Sequence, residues 1–204
     1  MLAPAPASQY AVTVLPAQEP APEPAPETAT EPAGEPALSL SEWIVLCLVC
    51  EQPTHGNAVA ALVGRDGELG QIWHVHRAVV YRSLDRLTDL GLLRSAGEER
   101  SSRGPVRQLV EATDAGQAAA TAWQHQPVQH TRDIRSELLV KLALLNRAGI
   151  DPHDLLLAQR ALLAPAADVL RERIVIATGF ERTLLQWRYE TTAATVRFLD
   201  ALLG

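Results

Sequence analysis

Residues 73–87 read WHVHRAVVYRSLDRL. Within this stretch Val80, Leu84 and Leu87 recur four and three apart, while Arg77, Arg82 and Arg86 fall on other sides. The spacing predicts an amphipathic helix from near Val75 to about Leu90, and Gly91 follows where a helix needs a left-handed residue to stop. A helix that enters a DNA major groove must bury a narrow apolar stripe on its own domain and keep short or basic side chains at its N-terminal end. Here His76, Arg77 and Val79 occupy the first turn, and Arg82 and Arg86 lie within reach of the flanking phosphates.

Upstream, Ser39 or Ser41 caps a largely apolar helix that contains Trp43 and the run Ile44 to Val49 and ends before Gln52-Pro53. Thr54-His55-Gly56 is a turn signal, and Val59, Leu62 and Val63 mark a short second helix that stops between Gly64 and Gly67. Downstream the period changes. Leu92 to Ser95 and Gln108 to Glu111 read as two short strands, joined by a polar loop from Ala96 to Arg107 that holds Arg100, Arg103 and Arg107. Thr113-Asp114-Ala115-Gly116 then opens a helix through about Trp123. Three helices followed by a hairpin with a basic tip describe a winged helix-turn-helix, whose loop arginines would grip phosphates or the minor groove.

The order of these motifs resembles the PadR family of transcriptional regulators. The similarity is carried by the 73–87 stretch continuing to Gly91-Leu92-Leu93, by His55-Gly56 before the second helix, by Arg103-Gly104-Pro105-Val106-Arg107 at the wing tip and by Thr113-Asp114-Ala115-Gly116. It spans about residues 38 to 123. Asn57 stands where the family has an aromatic, Ala78 and Val79 where it often has a glycine and a polar residue, and Val110 where it has a strand tyrosine. The resemblance implies a role for Tyr81 at the DNA surface or in holding the helix. It also implies a repressor released by a small lipophilic or aromatic effector, for which Trp43, Trp73, Trp123 and Trp187 are the residues able to line a pocket.

The C-terminal part reads as helical. Ile134, Leu138, Leu142 and Leu145 form one amphipathic helix ending near Gly149, and Asp151-Pro152 opens another, with Asp151 as N-cap and Pro152 in the first helical position. After Pro165 a long stretch reaches the C-terminus. Ala177, Phe180, Leu184, Trp187, Thr191, Ala194, Phe198 and Ala201 form a stripe along it, with Gly179 in the helix interior. A stripe of that length exceeds what one small domain can cover, so a second copy is expected on Phe180, Leu184, Trp187, Thr191 and Phe198. Two-fold symmetry would then set two recognition helices about 34 Å, or a multiple, apart on an inverted-repeat operator.

Composition limits the alternatives. The chain has 204 residues and a net charge of −6. Five glutamates and no base fall in residues 1–37, so residues 38–204 carry 18 basic against 19 acidic groups and are nearly neutral. The 1–37 segment is an Ala/Pro/Glu-rich tail expected to be disordered, because proline every few residues removes amide donors and disfavours helix. No run approaches the ~18 apolar residues of a membrane span, and a cytoplasmic location without membrane partners is expected.

The expected architecture is therefore mainly α. A winged helix-turn-helix over 38–123, three helices plus a β-hairpin wing, precedes a helical dimerisation domain over 130–204. No phosphate loop, nucleophile elbow or carboxylate pair is present, so neither catalysis nor a cofactor or metal is expected. Cys47-Leu48-Val49-Cys50 has the spacing of a redox or metal pair, but it lies in the most apolar run and reads as core. Two rival functions stay open at this point. One is a metal- or thiol-responsive sensor using Cys47, Cys50 and histidines such as His74, His76, His125 and His130. The other is a winged-helix interaction adaptor that does not bind DNA.

Overall fold

The computed structural model describes residues 38–99 and 106–204. Seven α-helices and one hairpin are found among them: α1 (Leu40–Glu51), α2 (Gly56–Val63), α3 (Arg77–Asp89), β1 (Leu93–Glu99), β2 (Arg107–Ala112), α4 (Asp114–His125), α5 (Leu139–Arg147), α6 (His153–Ile176) and α7 (Gly179–Leu203). The expected tail, residues 1–37, and the wing-tip arginines Arg100 and Arg103 lie outside the described residues.

Helix α1 is the axle of the N-terminal part. Ser39 caps it: the hydroxyl accepts the Glu42 amide at 3.4 Å, and the Glu42 carboxylate accepts the Ser39 amide at 2.7 Å. Ile44 to Val49 are all buried, because α3, α4, α5 and β2 surround the helix. An all-round apolar helix of this kind shows no periodicity in sequence. Helix α2 is capped by His55, whose Nδ1 accepts the Ala58 amide at 3.0 Å. Helix α3 buries Val80, Ser83, Leu84 and Leu87 against α1 and α2 and ends at Gly91, where φ is +70°.

The hairpin is antiparallel, with Leu93 opposite Ala112 and Glu99 opposite Arg107, and its register shifts at Gly97, where φ is +100°. Both strands are longer than the sequence suggests, so Arg107 belongs to β2 and not to the loop. Thr54 pairs with Val110 through two backbone hydrogen bonds of 2.9 and 2.8 Å, so the segment before α2 adds a third, one-residue edge to the wing. Thr113 caps α4 by accepting the Gly116 amide at 3.1 Å. A Cβ on Gly116 would stand 2.1 Å from the Leu92 carbonyl oxygen, so only glycine lets α4 come this close to the start of the wing.

Between α4 and α5 the chain makes a 3-10 turn (Thr131–Asp133) and one wide π turn (Ile134–Leu138). Helix α5 is a shared wall. Val140 and Leu144 complete the core around α1, while Leu138, just before it, and Leu145 enter a second core with Leu155, Leu156, Leu163 and Leu199 of the α6–α7 pair. Arg147 ties the end of α5 to Glu51 at 2.9 Å and to Glu68. The fully buried Gln159 side chain bonds both the amide and the carbonyl of Val128, at 2.7 and 2.9 Å, and so pins the α4–α5 connection to α6.

The C-terminal boundaries differ from the sequence reading in three ways. Pro152 is the cap of α6 and the helix begins at His153, whose amide is accepted by Asp151 at 3.0 Å. Pro165 does not end that helix; its missing N–H removes one hydrogen bond, and packing along α7 carries α6 on to Ile176. Gly179 lies at the start of α7 with φ +57°, not in a helix interior, and Ala177 belongs to the link, where it is buried.

Candidate nucleic-acid interface

His76 precedes the first residue of α3, and Arg77, Ala78, Tyr81 and Arg82 are exposed along the helix side opposite its buried stripe. Arg77 and Tyr81 stand one turn apart, with the guanidinium carbon 5.7 Å from the ring centre. Both side chains meet Asn57 of α2. Its Oδ1 accepts the Tyr81 hydroxyl at 2.6 Å and also accepts Arg77 Nη2. Gly56 fits the same corner, since a Cβ there would come within 2.7 Å of the Tyr81 ring. The sequence reading noted Asn57 only as a departure from the family pattern and gave it no role at the interface. Its signal was the replacement of an aromatic after His-Gly.

The remaining residues of α3 divide by role. Arg82 makes no hydrogen bond or ion pair among the described residues. Arg86 donates to Glu42 Oε1 at 3.0 Å and so ties the second half of α3 to α1. Burial by itself would raise the Glu42 pKa, but hydrogen bonds from the Ser39 amide and hydroxyl and the Arg86 charge outweigh it and hold the carboxylate below its ordinary range. Val79 is half-buried and packs on the core around α1. A reach from Val79 to a base edge is therefore limited to whatever part of the side chain stays outside.

The described part of the wing is not basic. Arg94 is paired with Glu111 at 2.8 Å, Gln108 donates to Glu98 at 3.0 Å, and Glu98 and Glu99 are exposed. Arg107 is half-buried, its Nη1 lies 2.9 Å from His55 Nε2, and its buried Nε has no hydrogen-bond partner among the described residues. Arg107 thus faces α2 from within the sheet.

The four tryptophans do not line one cavity. Trp43 and Trp123 stack at 5.3 Å with planes 5° apart inside the first core, and Trp73 donates to the Ser41 hydroxyl at 3.2 Å on the surface. Trp187 lines a cleft of about 970 Å³ between the Gln129–Arg135 segment and α6–α7, together with His130, Arg135, Leu139, Arg188 and Phe198. The α7 residues expected to meet a second copy lie on its exposed side: Phe180 is 81% and Trp187 67% exposed, with Leu184, Thr191 and Phe198 between and beyond them, while Leu185, Thr192 and Leu199 face inward.

Cys47 is buried and Cys50 half-buried, with its Sγ 3.9 Å from the Gly116 carbonyl. Burial pushes the Cys50 thiol up to about 11 and Cys47 higher still, which keeps both as unreactive thiols. His74 and His76 meet edge to face at 4.6 Å, and no group of three or more His, Cys, Asp or Glu able to hold a metal occurs among the described residues. Among those residues, no helix is long and apolar enough to cross a membrane.

A search of curated proteins returns no match. Among solved structures, the chain resembles Bacillus subtilis PadR in complex with operator DNA, at 20% identity over 80% of this chain and 97% of that one, with a TM-score of 0.39. It also resembles Bacillus subtilis PadR in complex with p-coumaric acid, at 19% identity over 80% and 93%, with a TM-score of 0.36. A third likeness is to smu.1604c from Streptococcus mutans UA159, at 13% identity over 79% and 97%, with a TM-score of 0.38. Residues 45–122, from α1 into α4, match the model of the transcriptional regulator PadR-like family, a class of regulators and not of enzymes.

Proposed function

We propose that this protein is a homodimeric, sequence-specific DNA-binding repressor whose α3 enters the major groove. The observation that carries the reading is the division of α3, within the family-matched segment, into a buried Val80, Leu84 and Leu87 stripe and an exposed side bearing His76, Arg77, Tyr81 and Arg82. Arg77 reads a base edge, Arg82 holds a flanking phosphate, and the wing supplies further phosphate contacts through Arg100 and Arg103. Arg86 and Arg107 act from behind, holding α3 to α1 and the wing to α2. The winged helix over 38–123 reads DNA, and the helices of 130–204 pair two copies through Phe180, Leu184, Trp187, Thr191 and Phe198. The exposed apolar side of α7 supports that pairing.

A small lipophilic or aromatic effector would occupy the cleft beside Trp187 and release the operator. Such a molecule must bind the wrongly spaced dimer more tightly than the DNA-bound one. The buried thiols and the lack of a metal-holding cluster among the described residues withdraw support from a thiol or metal sensor.

Mobility shift with the DNA upstream of the protein's own gene, at two salt concentrations, tests the reading. A shift that weakens steeply with salt is expected. No shift even at low salt overturns it. Titration with aromatic compounds, following tryptophan emission and operator release together, tests the effector; binding that leaves DNA affinity unchanged would remove that part.

A further inference from the structure

The node that joins the N-terminal ends of α2 and α3 contains more than a helix contact. Arg77 and Tyr81 both donate to one atom, Asn57 Oδ1. Arginine has donors only, so the carboxamide must present its oxygen to this pair and its NH2 group elsewhere. Gly56, against which the Tyr81 ring packs, closes the corner from behind. The guanidinium lies over the Tyr81 ring and is held at Nη2, which restricts its rotamers, and among the described residues no hydrogen bond engages its other donors. A side chain held in this way gives up less entropy when it binds. The holder is also neutral. A carboxylate at position 57 would grip Arg77 more strongly but would cancel the charge that attracts DNA.

We propose that Asn57 is a specificity-determining positioning residue, which fixes Arg77 against Tyr81 so that one side of the guanidinium fork meets a single base pair. The inference rests on the reading of α3 as the DNA-reading helix. It predicts that Asn57 acts through Arg77, so that loss of either residue blurs the same position of the operator. Phosphate-held affinity, which carries no sequence information, should be little changed.

The test is selection from a pool of randomised duplexes by the full-length protein, by Asn57→Ala, by Arg77→Ala and by the double variant. Wild type is expected to enrich one inverted-repeat motif. Arg77→Ala should lose preference at one base pair of each half-site, and Asn57→Ala should lose preference at least fivefold at that same base pair and keep it elsewhere. The double variant should lose no more than Arg77→Ala. Asn57→Asp should weaken binding to every duplex at least tenfold, since it neutralises Arg77 while keeping its partner. Asn57 is exposed, so thermal unfolding should be unchanged by Asn57→Ala and serves as the check on folding. An unchanged motif with Asn57→Ala, a uniform loss across all positions, or additive losses in the double variant would each overturn the role of Asn57 and leave DNA binding standing. If wild type enriches no motif, the DNA-reading assignment of α3 fails, and the inference fails with it.

Discussion

The Lys141 ammonium stands 4.6 Å from the centre of the Trp123 ring, inside the wall that α5 shares between the two cores. It donates to Glu137 Oε1 and to the Gln126 carbonyl, both at 2.8 Å, and its side chain is 1% exposed. Trp123 in turn stacks on Trp43 of α1. A charge buried against an aromatic pair thus joins α5 to α4 and α1 of the winged helix.

Burial pushes the Lys141 pKa below the usual lysine value of 10.5, with the Glu137 hydrogen bond and charge offsetting part of the fall. The folded protein therefore gives up this proton at a lower pH than the unfolded chain does. Between those two values the unfolded state binds more protons, so the contribution of Lys141 to stability rises with pH across that window. Lys141→Met has no such group. Urea unfolding of both proteins from pH 7 upward should show the wild type gaining relative to Lys141→Met as pH approaches 10.5. A difference that stays flat would contradict the burial. Lys141→Ala, which also opens a cavity beside Trp123 and leaves Glu137 unpaired, should cost about 3 kcal/mol at neutral pH.

Gly116 fixes the approach of α4 to the wing. With the Leu92 carbonyl oxygen 2.1 Å from where a Cβ would sit, backbone must move to admit even alanine. Gly116→Ala should destabilise the protein by about 2 to 3 kcal/mol, the cost typical of overpacking, although alanine is the better helix former. Denaturant midpoints measure this, and an equal or higher midpoint would show that α4 can stand off without penalty.

The helix-turn-helix was legible because each of its elements carries a local cause. The stripe of Val80, Leu84 and Leu87 with Gly91 behind it, the Ser39 and Thr113 caps, and the His55-Gly56 turn all act within a few residues of chain. What escaped reading depends on distant partners. Pro165 breaks helices by local rules, yet α6 runs through it because α7 packs alongside. The Thr54–Val110 bridge and the Asn57 node join segments that only the fold brings together, and Arg107 turns inward because β2 extends further than its apolar alternation indicated. The four tryptophans, alike in composition, are separated by burial: two form core, one lies on the surface, and one lines a cleft.

Arg77 and Arg82 should fail in different ways. Arg82 has no partner among the described residues, and as a phosphate contact it carries charge but no sequence information. Arg82→Ala should weaken binding about equally to every duplex and reduce the slope of log K against log salt by about 1. Arg77→Ala should cost about 1 to 3 kcal/mol at the preferred operator and less at a mismatched one. Titrations of both variants at several salt concentrations separate the two effects. Equal salt slopes for wild type and Arg82→Ala would remove Arg82 from the interface.

The exposed side of α7 opens the proposed pairing of two copies to a direct test. Phe180 and Trp187 lie two turns apart with most of their surface in water, and Val175 and Ile176, 80% and 83% exposed, extend the apolar patch around the α6–α7 link. Exposed apolar side chains of this size are what the proposed partner copy would cover. Large aromatics at the centre of such a surface commonly contribute 2 kcal/mol or more to association. Trp187→Glu should therefore raise the dimer dissociation constant by about 30-fold or more, because each 1.4 kcal/mol is about a factor of ten. The side chain faces away from the second core, so the helical circular dichroism signal should persist in the variant. Operator affinity should fall with the dimer, because a single winged helix covers one half-site only. Sedimentation velocity across a concentration series measures the first effect and mobility shift the second. An unchanged dimer in Trp187→Glu, or a wild type that sediments as a monomer at micromolar concentration, would place the partner elsewhere or remove it.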